Sequence, residues 1–83
     1  MKQVGRKLAD TVGDHFIAAV GRKIRREREK QELTVKDAAE KTGGVVGRTT
    51  WRSYERGMSE PSLSKYMALC TALGVPFTKF LKG

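Results

Sequence analysis

Residues 48–56 read Arg-Thr-Thr-Trp-Arg-Ser-Tyr-Glu-Arg, a run that mixes forked cationic donors and short hydroxyls with two large aromatics. At about 100° per residue, Trp51, Tyr54 and Glu55 fall on one side of a helix. Thr49, Arg52, Ser53 and Arg56 fall on the other, with Arg48 and Thr50 on the flanks. One side is built to pack and the other to meet something polar. Guanidinium forks and hydroxyls suit phosphate oxygens and the acceptor edges of bases in a major groove, and no acid on the outward face opposes them. Trp51 is turned inward and is predicted to be a core residue rather than a stacking platform.

Elsewhere catalytic chemistry is scarce. His15 is the sole histidine and has no paired acid or nucleophile motif. Cys70, the sole cysteine, cannot form an internal disulfide or a cysteine zinc site, and its place on an apolar stripe predicts a small core residue. Gly43 to Thr49 superficially resembles a phosphate loop, but the spacing G-x-x-x-x-G-K-[ST] is not met and Arg48 replaces the lysine, so this segment reads as a turn. Neither an enzyme nor a metal site, cofactor or small-molecule substrate is expected.

Composition narrows the partner. The 83 residues carry 17 Lys plus Arg against 9 Asp plus Glu, a net charge of +8, which favours a polyanion such as nucleic acid or an acidic membrane surface. A chain this short buries only roughly 60% of its unfolded surface and has room for one small domain. No run of 18 apolar residues exists, and Asp10, Asp14 and His15 interrupt the segment where a signal peptide would need its apolar core. A cytoplasmic, nucleoid-associated protein without a membrane partner is the expectation.

The elements that must position the 48–56 run are all helical. Val4, Leu8, Val12 and Phe16 step by four, and Ile17, Val20 and Ile24 continue the stripe, predicting a helix from about Val4 to Lys30 with a break near Gly13. Thr34 and Asp37 form a capping-box pattern ahead of a second helix, about Val35 to Thr42, ended by Gly43-Gly44. The third helix runs from about Arg48 to Arg56 and stops at Gly57. Ser62 caps a fourth, whose apolar stripe is Leu63, Tyr66, Met67, Cys70 and Leu73 and whose end is Gly74. Phe77, Phe80 and Leu81 predict a short fifth turn closing the core. The charged run Arg22, Lys23, Arg25, Arg26, Arg28 with Glu27, Glu29 and Glu32 reads largely as a solvated face with i,i+4 pairs.

Two short helices joined by a glycine-containing turn, with the small Ala39 where they would cross, describe a helix-turn-helix unit. Several motifs sharpen this: Gly21-x-x-Ile24-Arg25-x-x-Arg28, Leu33-Thr34, Ala39-Glu40-Lys41, Ser53-Tyr54-Glu55-Arg56-Gly57, Glu60-Pro61-Ser62 and Leu73-Gly74-Val75. With them, Val20 to Leu81 resembles the lambda-repressor-like (Cro/repressor type, XRE) helix-turn-helix family. The resemblance implies an all-α domain of four or five helices, here with an extended amino-terminal helix: residues 1–19 as the extension and 20–83 as the DNA-binding domain. It implies a recognition helix in the major groove and dimeric binding to an inverted-repeat operator. By position, Arg48, Thr49 and Ser53 match base-contacting places, Thr50 and Arg52 match base or backbone contacts, and Arg56 matches a phosphate contact. Arg28 and Glu55 match a partly buried structural ion pair.

The chain departs from the family pattern in three places. The turn Gly43-Gly44-Val45-Val46-Gly47 is two residues longer, Val35 replaces a phosphate-binding glutamine, and Ala38 with Trp51 replaces a larger and a smaller apolar residue, at near-constant core volume. For the amino-terminal helix three readings stand open: a basic arm through Lys2, Arg6 and Lys7, a homodimer seam through Val4, Leu8, Val12 and Phe16, or a helix packed on its own domain. Two functions follow. The first is a sequence-specific regulator of transcription, a small bacterial or phage repressor. The alternative is an antitoxin-like or bridging module that uses the same fold to hold another protein.

Overall fold

The computed structural model describes the backbone of residues 2–81 and the side chains of residues 15–81. The order is α1 (Lys2–Lys30), α2 (Val35–Lys41), α3 (Arg48–Glu55) and α4 (Leu63–Leu73), followed by a 3-10 turn over Phe77–Phe80. Among the described residues there is no strand. Helix α1 continues through Gly13 without the expected break. The side chains of Lys2, Val4, Arg6, Lys7, Leu8 and Val12 lie outside the described residues.

Local chemistry sets the ends of the short helices. At α2 the Asp37 amide donates to Thr34 Oγ1 at 3.0 Å and the Thr34 amide to Asp37 Oδ2 at 3.3 Å, closing the capping box. Ser62 caps α4 by accepting from the Lys65 amide. Beyond α4, Gly74 takes φ +68°, and the Val75 amide returns to the Cys70 carbonyl at 3.0 Å, a left-handed turn that glycine makes without a Cβ clash. The end of α1 uses the same six-to-one closure, Leu33 amide to Arg28 carbonyl at 3.1 Å, but the left-handed residue there is Glu32, with φ 58°.

The core joins Val20 and Ile24 of α1, Ala38 of α2, Val46, Trp51 and Tyr54 of α3 and its approach, Tyr66, Leu69, Cys70 and Leu73 of α4, and Phe80. Ala38 and Trp51 are both fully buried. Tyr66 meets Phe80 edge to face.

Several expectations are corrected here. Leu63 and Met67 are exposed, and Leu69 takes the buried place instead, because α4 turns its Tyr66–Leu69–Cys70–Leu73 side to α2. Phe80 alone of the terminal trio enters the core, since the tight 3-10 turn sends Phe77 and Leu81 to the surface. Glu27 is not on the solvated face. It is buried, accepting from Gln31 Nε2 at 2.9 Å and facing Lys79 Nζ at 3.8 Å, while the same Gln31 nitrogen donates to the Leu73 carbonyl at 2.7 Å. That relay ties α1 to the end of α4.

Candidate nucleic-acid interface

The long turn between α2 and α3 has its own closure. Thr42 Oγ1 donates to the Ala39 carbonyl at 2.6 Å and accepts from the Val46 amide at 3.0 Å. Val46 is thereby drawn into the core, so the extra turn residues have a fixed exit into α3. Gly43 and Gly44, both at positive φ, make the reversal. Neither Thr42 nor Val46 carries a sequence motif for this role. The signal is a threonine four residues before a valine in a glycine turn.

Helix α3 is locked on its inner side. Trp51 and Tyr54 are buried, and the Glu55 side chain, only 7% exposed, receives three donors. Arg28 Nε reaches Glu55 Oε2 at 2.6 Å, Arg28 Nη2 reaches Oε1 at 3.1 Å, and Trp51 Nε1 reaches Oε2 at 2.6 Å. Arg28 also donates through Nη1 to the Leu33 carbonyl at 2.8 Å. One side chain of α1 therefore holds both α3 and the approach to α2. Hydrogen bonding to Glu55 raises the Arg28 pKa above its already high ordinary value.

Backbone contact fixes the same end of α3 against an earlier turn of α1. A Cβ on Gly21 would stand 2.4 Å from the Tyr54 carbonyl oxygen, and one on Gly57 would stand 2.8 Å from Ala18 Cα. The C-terminal end of α3 thus rests on the backbone of α1.

The outward side is left to solvent. Arg48, Thr49, Arg52 and Arg56 are exposed, and Thr50 and Ser53 are half-buried. Among the described residues no carboxylate or hydrogen-bond acceptor engages the guanidinium of Arg48, Arg52 or Arg56. Arg48 stands over a shallow hollow beside Lys36 and Glu40 of α2, whereas Arg52 and Arg56 line a cleft shared with Arg25 and Arg28 of α1. Ser53 Oγ accepts from Ser59 Oγ at 2.9 Å, which leaves the Ser53 proton free to be donated outward. Ser59 and Arg25 had no place in the expected site. Arg25 reads in sequence as one member of an i,i+4 pair, and it does pair with Glu29, at 3.1 Å.

An inner face held by buried aromatics and an ion pair, and an outward face of hydroxyls and unpaired guanidiniums, on the second helix of a helix-turn-helix, define a DNA-binding unit. The chain belongs to the lambda-repressor-like (XRE) helix-turn-helix family, whose pattern it matches over residues 24–80. It is thus a DNA-binding regulator of that type, and its partner is double-stranded DNA. A comparison with curated proteins finds no match. No helix among the described residues is long and apolar enough to cross a membrane.

Proposed function

We propose that the protein is a small bacterial or phage repressor that reads an inverted-repeat operator as a homodimer, acting in the cytoplasm on the nucleoid. Residues 20–83 form the reading domain and residues 1–19 an extension used in pairing. In this reading Arg48, Thr49 and Ser53 meet base edges, Thr50 and Arg52 meet bases or backbone, Arg56 meets phosphate, and Arg28–Glu55 holds α3 at its angle. The observation that carries it is the unpaired outward set on a helix whose inner face is held by a bidentate ion pair. Side chains near the start of α3 can reach base edges, and those near its end meet the strand as it leaves the groove.

Selection from random duplexes tests this and returns the site. Binding of the recovered duplex is expected to weaken steeply with salt, about −0.9 in log K per log salt for each phosphate neutralised. Arg48→Ala is expected to change base preference at one position, at about 1 to 3 kcal/mol for a lost bidentate contact. A near-zero salt slope overturns DNA binding, and uniform weakening by Arg48→Ala overturns the contact register.

The pairing reading draws on an apolar groove lined by Phe16, Ile17, Leu63, Tyr66, Phe77 and Leu81 among others. Four of these large side chains, Phe16, Leu63, Phe77 and Leu81, are half or more exposed, or close to it. Phe16 also ends the sequence stripe of Val4, Leu8 and Val12, and the exposed apolar side chains of the groove suit a second copy that matches them reciprocally, as a two-fold contact requires. Sedimentation of Leu63→Glu should give a monomer where the unaltered chain gives a dimer. Equal masses, or capture of a different protein in the same groove, reject it.

A further inference from the structure

We propose that the cleft between α1 and α3 is a clamp for one backbone phosphate, in which Arg25 of α1 joins Arg52 and Arg56 of α3. The inference rests on the DNA-binding reading and assigns to it a residue on a different helix. It places Arg52 on the backbone rather than on a base.

The cleft is lined by Arg25, Arg28, Arg52, Arg56, Val35 and Glu55. Glu55 is its sole carboxylate, and that carboxylate is spent: it already takes two bonds from Arg28 and one from Trp51. The charges of Arg52 and Arg56 therefore go unanswered at close range, in a concave site lined by positive charge of one sign. Among the described residues Arg25 is tied only to Glu29, an exposed pair in which both side chains are more than half solvated, so it is free to exchange partners. A volume of about 220 Å³ is smaller than the roughly 300 to 1,000 Å³ typical of whole-ligand pockets, which suits a single anionic group on a larger body. Arginines lining the cleft from two helices carry forked donors that match the oxygens of a phosphodiester. The position agrees, because the cleft lies at the Arg52–Arg56 half of α3, beyond the Arg48–Thr49 end that meets the bases.

The test uses the duplex recovered by selection, with single methylphosphonates that each neutralise one backbone phosphate. At one position the unaltered protein should lose about tenfold in affinity, as expected for charge-assisted hydrogen bonds. The Arg25→Ala/Arg52→Ala double variant, weaker from the start, should lose less than about twofold there. Glu29→Gln should tighten binding about threefold in the unaltered protein and leave Arg25→Ala unchanged, because it acts by releasing Arg25. Arg25→Gln and Arg52→Gln provide the same comparison should either alanine variant fail to fold. Unaltered binding by Arg25→Ala, or relaxed base preference at one position in Arg52→Ala, overturns the clamp while leaving DNA binding intact. Failure of the unaltered protein to bind any duplex overturns DNA binding itself, and the clamp with it.

Discussion

Replacing Glu55 by alanine should be the most damaging single change on the α1–α3 contact. The Arg28 side chain is 12% exposed, so in the variant a nearly enclosed guanidinium keeps only its bond to the Leu33 carbonyl. Trp51, itself fully buried, loses the acceptor of its indole N–H. Breaking a buried pair by removing one partner costs about 3 to 5 kcal/mol, and the orphaned indole adds about 1 more. A domain of this size holds on the order of 4 to 12 kcal/mol in total, so this loss is a large share of it. With about 4 to 8 °C of Tm per kcal/mol, the melting point should fall by at least about 16 °C. Trp51 is the only tryptophan, so its fluorescence during urea unfolding reports the network without a label. Arg28→Ala should cost a similar amount and the double variant less than the two together. An apolar exchange, Arg28→Met with Glu55→Leu, should recover most of the stability. Additive losses in the double-mutant cycle, or a Glu55→Ala melting point within a few degrees of the unaltered chain, would refute the reasoning.

Three further outcomes are expected. Gly21→Ala gains up to about 1 kcal/mol of helix propensity, but its Cβ meets two backbone oxygens of α3 at 2.4 and 2.8 Å, so overpacking of about 1 to 3 kcal/mol wins and both melting point and duplex affinity should drop. Glu32→Gly relieves the left-handed residue at the end of α1 and should raise stability by about 0.5 to 1 kcal/mol in the same unfolding assay, with no change in DNA affinity. Burial pushes the Tyr66 hydroxyl up to about 12. A group whose folded pKa lies above its unfolded value near 10 contributes stability below that value and loses it as pH rises toward 12, so stability should decline over that window. Tyr66→Phe should flatten the decline, although it removes the hydrogen bond to the Phe77 carbonyl.

Much of the architecture was legible because its causes are local. A threonine with an aspartate three residues on, a serine ahead of an apolar run and a glycine after one each satisfy helix-end groups within a single turn, so Thr34, Asp37, Ser62 and Gly74 could be placed without a fold. The inward turn of Trp51 and Tyr54 follows likewise from the helical period alone. Periodicity failed in α4, where apolar residues cover more than one side: Met67 and Leu69 are equally plausible by type, and only the seat against α2 decides that Leu69 is buried.

What the chain itself determined is the list of helices, their caps and the basic outward face of residues 48–56. The tertiary structure alone decided which charges remain available. Arg25, Arg28, Arg52 and Arg56 are chemically alike and share one cleft, yet Arg28 is consumed by a carboxylate 27 residues away and Arg25 is held only by an exposed pair. Glu27 and Glu29 lie on one helix two residues apart, and one is buried against Gln31 and Lys79 while the other stays in solvent. Side-chain type sets what a group can bond to. Which partner it meets depends on elements distant in sequence, and the low dielectric between packed helices then makes that partner decisive.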